Sequence, residues 1–350
     1  MAEALKIRVI SKGPPLLYTV LKPLQKFMWE TLKENKVFEL IGKPVSESTM
    51  EELFGTTLDP SKIIISGDYK SSTDNLRRWV SECIARAIAN RLRENKYFSP
   101  ILEELLIRSL TGHIFVDENG IKMPQQEGQL MGSVTSFPIL CIANAAMCRW
   151  AIEQSDGTRY RVTDRPSTIS RGRLCPLRVN GDDCVFWGDK ARIINIWEQI
   201  TAFGGLETSV GKTYYSSKFA VINSVLYDYI PGTIPVIDPT CKYLFTYQLG
   251  RWRERRYVNL GLVFGMKRSE GKENKSNNVN KNTKTNKKTK ENTKGVQLKK
   301  ISNIGTLHHE LYRTCPVEYW EEANRSFIFF NYNALKEANV PWYAPEWAGG

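Results

Sequence analysis

The chain has 350 residues and a mass of 40.1 kDa, with 41% hydrophobic residues and a formal net charge of +12. That is enough apolar material for one large domain or a few subdomains, which excludes a small scaffold that depends on staples. Seven cysteines (Cys83, Cys141, Cys148, Cys175, Cys184, Cys241, Cys315) form no C-x-x-C pair, and only three histidines are present. Neither a zinc site nor a disulfide framework is expected, and a reducing, intracellular setting fits.

No basic-then-apolar leader opens the sequence. The longest apolar stretch, Val134 to Cys148, contains Pro138 and is too short for a bilayer, so a soluble chain without a membrane span is expected. The charge is local: residues 267 to 300 hold 11 Lys and 1 Arg against 3 Glu, which leaves only +3 for the rest of the chain. This tract is almost free of apolar side chains and cannot offset the entropy of ordering, so it reads as a disordered linker with non-specific attraction for phosphate.

Along the chain, Ile63, Ile64 and Ile65 form a β-branched run between Pro60 and Gly67 and predict a buried strand ending at Asp68. A helix follows, with Asp74 placed to cap it and Leu76, Trp79, Val80, Cys83, Ile84, Ala87 and Ile88 at helical spacing. A second helix is expected from Ser136 through Trp150, with Pro138 in its first turn. Leu177 to Asn180 and Cys184 to Trp187 read as strands joined across Gly181-Asp182-Asp183, a hairpin by its turn residues. Next comes a helix from about Ala191 to Phe203 that stops at Gly204-Gly205. Tyr214 to Tyr229 alternates, with a turn signal at Asn223-Ser224, and reads as a second hairpin, and residues 301 to 335 read as helical. Helices and antiparallel strands interleave without regular βαβ alternation, so the fold class is α+β.

The informative pattern is two sets of aspartates, each at the end of a predicted strand: Asp68 with Asp74, and Asp182 with Asp183. Carboxylates gathered in one site repel unless cations neutralise them. Two hard divalent ions about 3.5–4 Å apart can activate an attacking hydroxyl and stabilise a leaving pyrophosphate. Each piece alone is weak, because a G-D-D triplet turns up by chance in roughly one chain of this length in ten, and Asp is an ordinary turn and cap residue. The ordered series carries the signal: D-x5-D after a strand, a Gly-rich entry to a helix, G-D-D in a hairpin, then Gly211-Lys212-Thr213. A phosphate-binding P-loop is rejected for that last segment, since it needs Gly at 206, where Leu206 stands, and it must follow a strand.

Taken together, these segments resemble viral RNA-dependent RNA polymerases. SGDYKSSTDNL (66–76) resembles motif A, GQLMGSVTSFPILCIANAA (128–146) motif B and VNGDDCVFWG (179–188) motif C. KIRVISKGPPLLYTVLKPLQ (6–25) is similar to the motif F region, SVGKTYYSS (209–217) to motif D and FAVINSVLY (219–227) to motif E. RYVNLGLVFGMKRS (256–269), HHELYRTCP (308–316) and PWYAPEWAGG (341–350) resemble downstream signatures of the ourmiavirus-like (botourmiavirus) group, with narnavirus, mitovirus and leviviral replicases as relatives.

The resemblance implies template-directed RNA synthesis replicating a viral RNA genome, with RNA template, nascent RNA and NTPs as partners and two Mg²⁺ (or Mn²⁺) ions as cofactors. It implies Asp68 and Asp182 as metal ligands with Asp183 auxiliary, and Lys212 as the general acid toward pyrophosphate. Asp74 and Ser136 would read the ribose 2′-hydroxyl. Many polymerases place an Asn four residues after the motif B Thr or Ser, where this chain has Leu140, and Asn144 one turn further on is the candidate in its place. Gly132 and Ser133 would form the loop that lets template and nucleotide approach the backbone. Lys6 and Arg8 would contact the triphosphate. A reverse transcriptase is disfavoured because Asn180-Gly181 precedes the Asp pair, and a non-catalytic RNA-binding subunit because the carboxylate set is intact.

The implied architecture is a right-hand polymerase: palm at 61–82 and 123–230, fingers elements at 1–60 and 83–122, the start of the thumb at 231–266, the linker at 267–300 and a thumb fragment at 301–350. The motif F resemblance begins six residues from Met1 and the last signature stops at Gly349-Gly350, so both ends read as cut. An additional polypeptide or missing flanking sequence is expected to complete fingers and thumb. Host cytoplasm is the expected location, or the mitochondrion if the chain stands closer to mitoviruses. Replacing residues 269–298 by a neutral Gly/Ser linker of equal length should leave the melting temperature within about a degree or two and make RNA affinity less salt-dependent. A large loss of stability would refute the linker.

Overall fold

A computed structural model describes residues 2–3, 6–7, 10, 13–94, 99–165, 172–237, 244–265 and 304–338. The lysine-rich tract, Arg8 and the signature at 341–350 lie outside the described residues. The backbone divides into two units, one spanning Ile10–Arg255 and the other joining Met1–Val9 to Arg256–Gly350. Among the described residues no helix is long and apolar enough to cross a membrane.

In the second unit, strands β1 (Ala2–Glu3) and β2 (Lys6–Ile7) pair antiparallel. The larger unit begins with α1 (Pro15–Lys33) and α2 (Glu47–Phe54), which lead to β3 (Lys62–Gly67). The single turn α3 (Ser72–Asn75), then α4 (Arg78–Arg93), α5 (Pro100–Thr111) and the hairpin β4 (Ile114–Val116) with β5 (Lys122–Pro124) follow. After them come α6 (Ser136–Asp156), β6 (Tyr160–Arg161), β7 (Arg173–Leu174), β8 (Leu177–Asn180), β9 (Asp183–Asp189) and α7 (Ile193–Phe203). The unit closes with β10 (Tyr214–Ser216), β11 (Phe219–Ile222), β12 (Val225–Ile230), β13 (Thr233–Ile237), β14 (Leu244–Gln248) and β15 (Arg251–Glu254).

The central sheet is antiparallel throughout, in the order β10-β3-β9-β8. Alternation along its strands divides the core between two faces. Ile65 and Phe186, which are partners in register, share one core cluster with Leu177, Val179 and the helices α6 and α7. Their chain neighbours Ile64 and Val185 join a separate cluster with Phe54 of α2 and with Ala220, Ile222, Tyr227 and Trp252 of the β11-β12-β15 sheet. Because each residue step reverses the face, a slip of one position would exchange the two cores, so the β3–β9 register is tightly specified. Helix α6 starts at Ser136 as its sequence predicts and is buried on nearly all sides in its first half, as a helix surrounded by other elements must be.

Two expectations need adjustment. Asp74 does not cap α4: it sits inside α3, and α4 begins at Arg78, whose backbone N–H donates to the Glu127 carboxylate at 3.1 Å. Leu76 is fully buried, which pulls the chain inward between the two helices and displaces the helix start by one turn. The stretch from Tyr214 does not form one hairpin, since β10 pairs with β3 while β11 and β12 make the hairpin, with Asn223 and Ser224 both at positive φ in its turn. At the end of the larger unit β15 bonds to β12, and the Trp252 indole packs on Phe54 at 5.3 Å and donates to the Gly55 carbonyl at 3.1 Å.

The helical part of the second unit comprises α8 (Leu260–Val263), α9 (Ile304–Thr314), a 3₁₀ turn at Val317–Tyr319 and α10 (Trp320–Ala338). Leu262, Leu307, Leu311 and Phe327 form its core, and the Asn331 side chain donates to the Val263 carbonyl at 2.9 Å.

Trp197 of α7 is the largest side chain beneath the central sheet, wholly buried against Tyr69 and Phe186. Trp197→Ala should destabilise the larger unit by about 3–5 kcal/mol, the usual cost of an aromatic core truncation. Equilibrium urea unfolding measures it, and a cost below about 1 kcal/mol would mean that the sheet does not rest on this ring.

Candidate active site

Hairpin pairing puts the carboxylates together. β3 runs antiparallel to β9 with Gly67 opposite Cys184, so Asp68, which follows β3, reaches the same end of the sheet as the β8–β9 turn. Asn180 pairs with Asp183, which leaves Gly181-Asp182 as a two-residue loop. Its first position has φ of +68°, a conformation that glycine adopts without a Cβ penalty, and a Cβ there would come within 3.1 Å of the Phe137 ring.

Each carboxylate has its own surroundings. Ser72 donates its hydroxyl to Asp182 Oδ2 at 3.0 Å. The Asp183 carboxylate accepts the backbone N–H of Asn223, and the Asn180 side chain donates to Asn223 Oδ1 at 3.0 Å, so the β11–β12 turn is tied to the β8–β9 turn. Thr213 brings the motif D segment to Asp68: its hydroxyl donates to the Asp68 carbonyl at 2.9 Å, and the Ser209 N–H donates to the same oxygen at 2.8 Å. Lys212 Nζ thereby stands 3.8 Å from Asp68 Oδ2. With the lysine side chain 61% exposed, such a pair is worth no more than about 1 kcal/mol, so it orients Lys212 without locking it.

Burial, and then the charges of Asp182 and Asp68, raise the Asp183 pKa to about 7, against the smaller opposing effects of the Asn223 N–H and Lys212. Three carboxylates that feel one another in this way have a deficit of positive charge, and oxygen donors are what hard divalent cations take. Among the described residues, no three His, Cys, Asp or Glu side chains converge into a preformed cage. The donor set therefore suits such an ion in chemistry and charge, and completing the coordination requires the side chains to turn toward it.

The other residues singled out by sequence fall in two groups. Asp74 is exposed on α3, Gly132 is exposed in the turn before α6, and Ser133 and Ser136 are buried. Gln129, which the sequence reading passed over, links these parts: its N–H donates to the Thr73 carbonyl at 2.7 Å and its side-chain amide to the Ser136 carbonyl at 3.0 Å. Gly128 lies so close that a Cβ would be 2.5 Å from the Asp74 carbonyl oxygen. Lys6 belongs to β2 in the second unit, and Arg8 lies outside the described residues.

Asn144 is a correction. It was expected to read the ribose, yet it has 0% exposure, and its amide donates to the Gly181 and Asp182 carbonyls at 3.1 and 3.2 Å. Its oxygen accepts from the Tyr69 hydroxyl at 2.9 Å and the Cys148 thiol at 3.2 Å. Two turns into α6, the side chain points under the hairpin and has no polar atom left for a nucleotide. Tyr69, Ser72, Thr213 and Asn223 were also missed, since nothing in their local sequence shows that they meet the aspartates.

In metal-free buffer with EDTA, stability should carry the signature of Asp183. Its folded pKa lies above the ordinary unfolded value near 4, so between about pH 4 and 7 the folded state holds a proton that the unfolded state has lost, and stability falls as pH rises. The melting temperature of the wild type should therefore drop more between about pH 5 and 8 than that of Asp183→Asn, and added Mg²⁺ should recover part of the loss at the higher pH. Equal slopes in the two proteins would refute the coupling.

No family model matches the chain. Over 286 residues it is 33% identical to the RNA-dependent RNA polymerase of Ourmia melon virus (isolate Melon/Iran/VE9), a match that covers 77% of this chain and 31% of that protein. The chain thus corresponds to about a third of the relative's length. The crystal structure of the insertion loop deletion mutant of a human picorbirnavirus RNA-dependent RNA polymerase superposes with a TM-score of 0.53 at 13% identity, covering 95% of this chain and 55% of that one. With that identity over most of the chain and the right-hand fold shared with the picorbirnavirus enzyme, the chain belongs to the family of viral RNA-dependent RNA polymerases, on its ourmiavirus-like side.

Proposed function

We propose that the larger unit carries the nucleotidyl-transfer centre of an RNA-dependent RNA polymerase that replicates a viral RNA genome, in which an RNA 3′-hydroxyl attacks the α-phosphate of an NTP paired to an RNA template. The observation that carries this reading is the meeting of Asp68, Asp182 and Asp183 at one end of an antiparallel sheet, with Lys212 facing Asp68. Asp68 and Asp182 would hold two Mg²⁺ or Mn²⁺ ions, with Asp183 as the auxiliary ligand. When bound, the ions supply the charge that activates the hydroxyl and offsets the negative charge on the leaving pyrophosphate.

The chain's own residues do the rest. Lys212 is exposed and flexible enough to leave Asp68 and give a proton to the departing pyrophosphate. Asp74, exposed beside Gly128, and Ser136, held through Gln129, are assigned to the ribose 2′-hydroxyl, and Gly132 with Ser133 to the loop that passes template and nucleotide. Lys6 and Arg8 are assigned to the triphosphate on the resemblance of their segment alone. Template RNA, nascent RNA and NTPs are the partners, and further polypeptide completing fingers and thumb is part of the same reading, as is the host cytoplasm.

Primer extension on an RNA template should require a divalent cation, prefer rNTPs to dNTPs and stop with EDTA. Asp68→Asn or Asp182→Asn should reduce incorporation to background with the fold retained, because each removes both a ligand and a charge; Asp183→Asn should act more mildly. Full activity in either of the first two variants would overturn the assignment.

A further inference from the structure

Asp68 and Asp182 sit on separate elements, and like charges at the end of a sheet drive those elements apart. Something has to hold their spacing. Tyr69 follows Asp68 directly, and where the carboxylate is partly exposed, the tyrosine is buried against Trp197 with ring centroids 5.7 Å apart. Its hydroxyl donates to Asn144 Oδ1 at 2.9 Å. The two hydrogens of the Asn144 amide go to the Gly181 and Asp182 carbonyls at 3.1 and 3.2 Å, on either side of the peptide that carries Asp182.

The orientation of the Asn144 amide follows from its partners. Carbonyls only accept, so the NH₂ must face the turn and the oxygen must face the phenol and the Cys148 thiol. The Tyr69, Asn144, Cys148 and Gly181 atoms of this network are buried, where leaving a polar group unpaired costs about 1–3 kcal/mol, so the network holds one arrangement and resists others. It runs in an unbroken line from the residue beside Asp68, through α6, to the backbone of Asp182.

We infer that Tyr69 and Asn144 are positioning residues, a buried brace that sets the distance between Asp68 and Asp182 and so tunes the affinity of the pair for a divalent cation. This rests on the reading that these two carboxylates bind the metal. It also gives Asn144 a task other than reading the ribose. Tyr69→Phe removes one oxygen from the brace and leaves the packing of the ring, and Asn144→Ala removes its centre. Leu110→Ala, in the α5 core away from the carboxylates, is the control for general loss of stability.

Mn²⁺ binding to the whole chain without nucleotide, followed by the electron paramagnetic resonance of free Mn²⁺, is the readout, with melting temperature alongside. Tyr69→Phe and Asn144→Ala should weaken Mn²⁺ binding on the order of 10-fold, as loss of an outer partner of a metal ligand does, while Leu110→Ala lowers the melting temperature and leaves Mn²⁺ affinity as in wild type. At saturating metal both brace variants should keep the KM for NTP and the preference for rNTP over dNTP. Wild-type Mn²⁺ affinity in both brace variants, with Asp182→Asn impaired, would overturn the brace alone. Unchanged Mn²⁺ affinity with relaxed sugar selection in Asn144→Ala would overturn it in favour of ribose contact. Wild-type Mn²⁺ affinity in Asp182→Asn would overturn the metal-site reading, and the brace with it.

Discussion

Mutual repulsion among three carboxylates is the constraint around which the larger unit is arranged. Burial, and then the charges of Asp182 and Asp68, raise the Asp183 pKa to about 7, and the acids have to be kept in place by groups which do not neutralise them. The fold answers with backbone. Antiparallel pairing of β3 and β9 fixes where the two acid-bearing chain segments end, and a sheet with packed faces cannot relax one strand without disturbing its neighbours.

Around that frame, polar contacts are directed at the acids one at a time. Ser72 supplies a hydroxyl to Asp182, Asn223 a backbone N–H to Asp183, and Thr213 holds the chain carrying Lys212 against Asp68. These groups come from the segments that resemble motifs A, E and D, and each reaches the aspartates from a turn or from the residues next to a strand. The two core clusters on opposite faces of the sheet explain how such turns stay in register: Trp197 and α6 support one face, and Phe54 with the β11-β12-β15 sheet supports the other.

Glycine and glutamine at the start of motif B have a related task. Gly128 permits contact with the α3 backbone that a side chain would prevent, and Gln129 uses both its backbone and its side chain to join α3 to the first residue of α6. The exposed carboxylate of Asp74 and the buried Ser136 are thus held by one short segment. Glu127, next in line, supplies the hydrogen-bond acceptor at the start of α4 that local sequence assigns to Asp74.

By itself the sequence determined which local structures hold the aspartate-bearing segments. β-Branched periodicity marked β3, the glycine-led turn marked the β8–β9 hairpin, and the helices at Ser136 and before Gly204 were bounded by residues whose preferences act over three or four neighbours. The placement of Asp68, Asp182, Asp183 and Lys212 at strand ends and turns was legible because these are local features in a recognisable order. Tertiary structure alone decided what each side chain meets. Asn144 is polar on a mostly apolar helix, and only the arrival of Tyr69 from one strand and of the Gly181-Asp182 carbonyls from another turns it inward. Contacts between residues 75 and 38 positions apart depend on how whole elements pack, and a buried amide goes where unpaired donors and acceptors have to be satisfied.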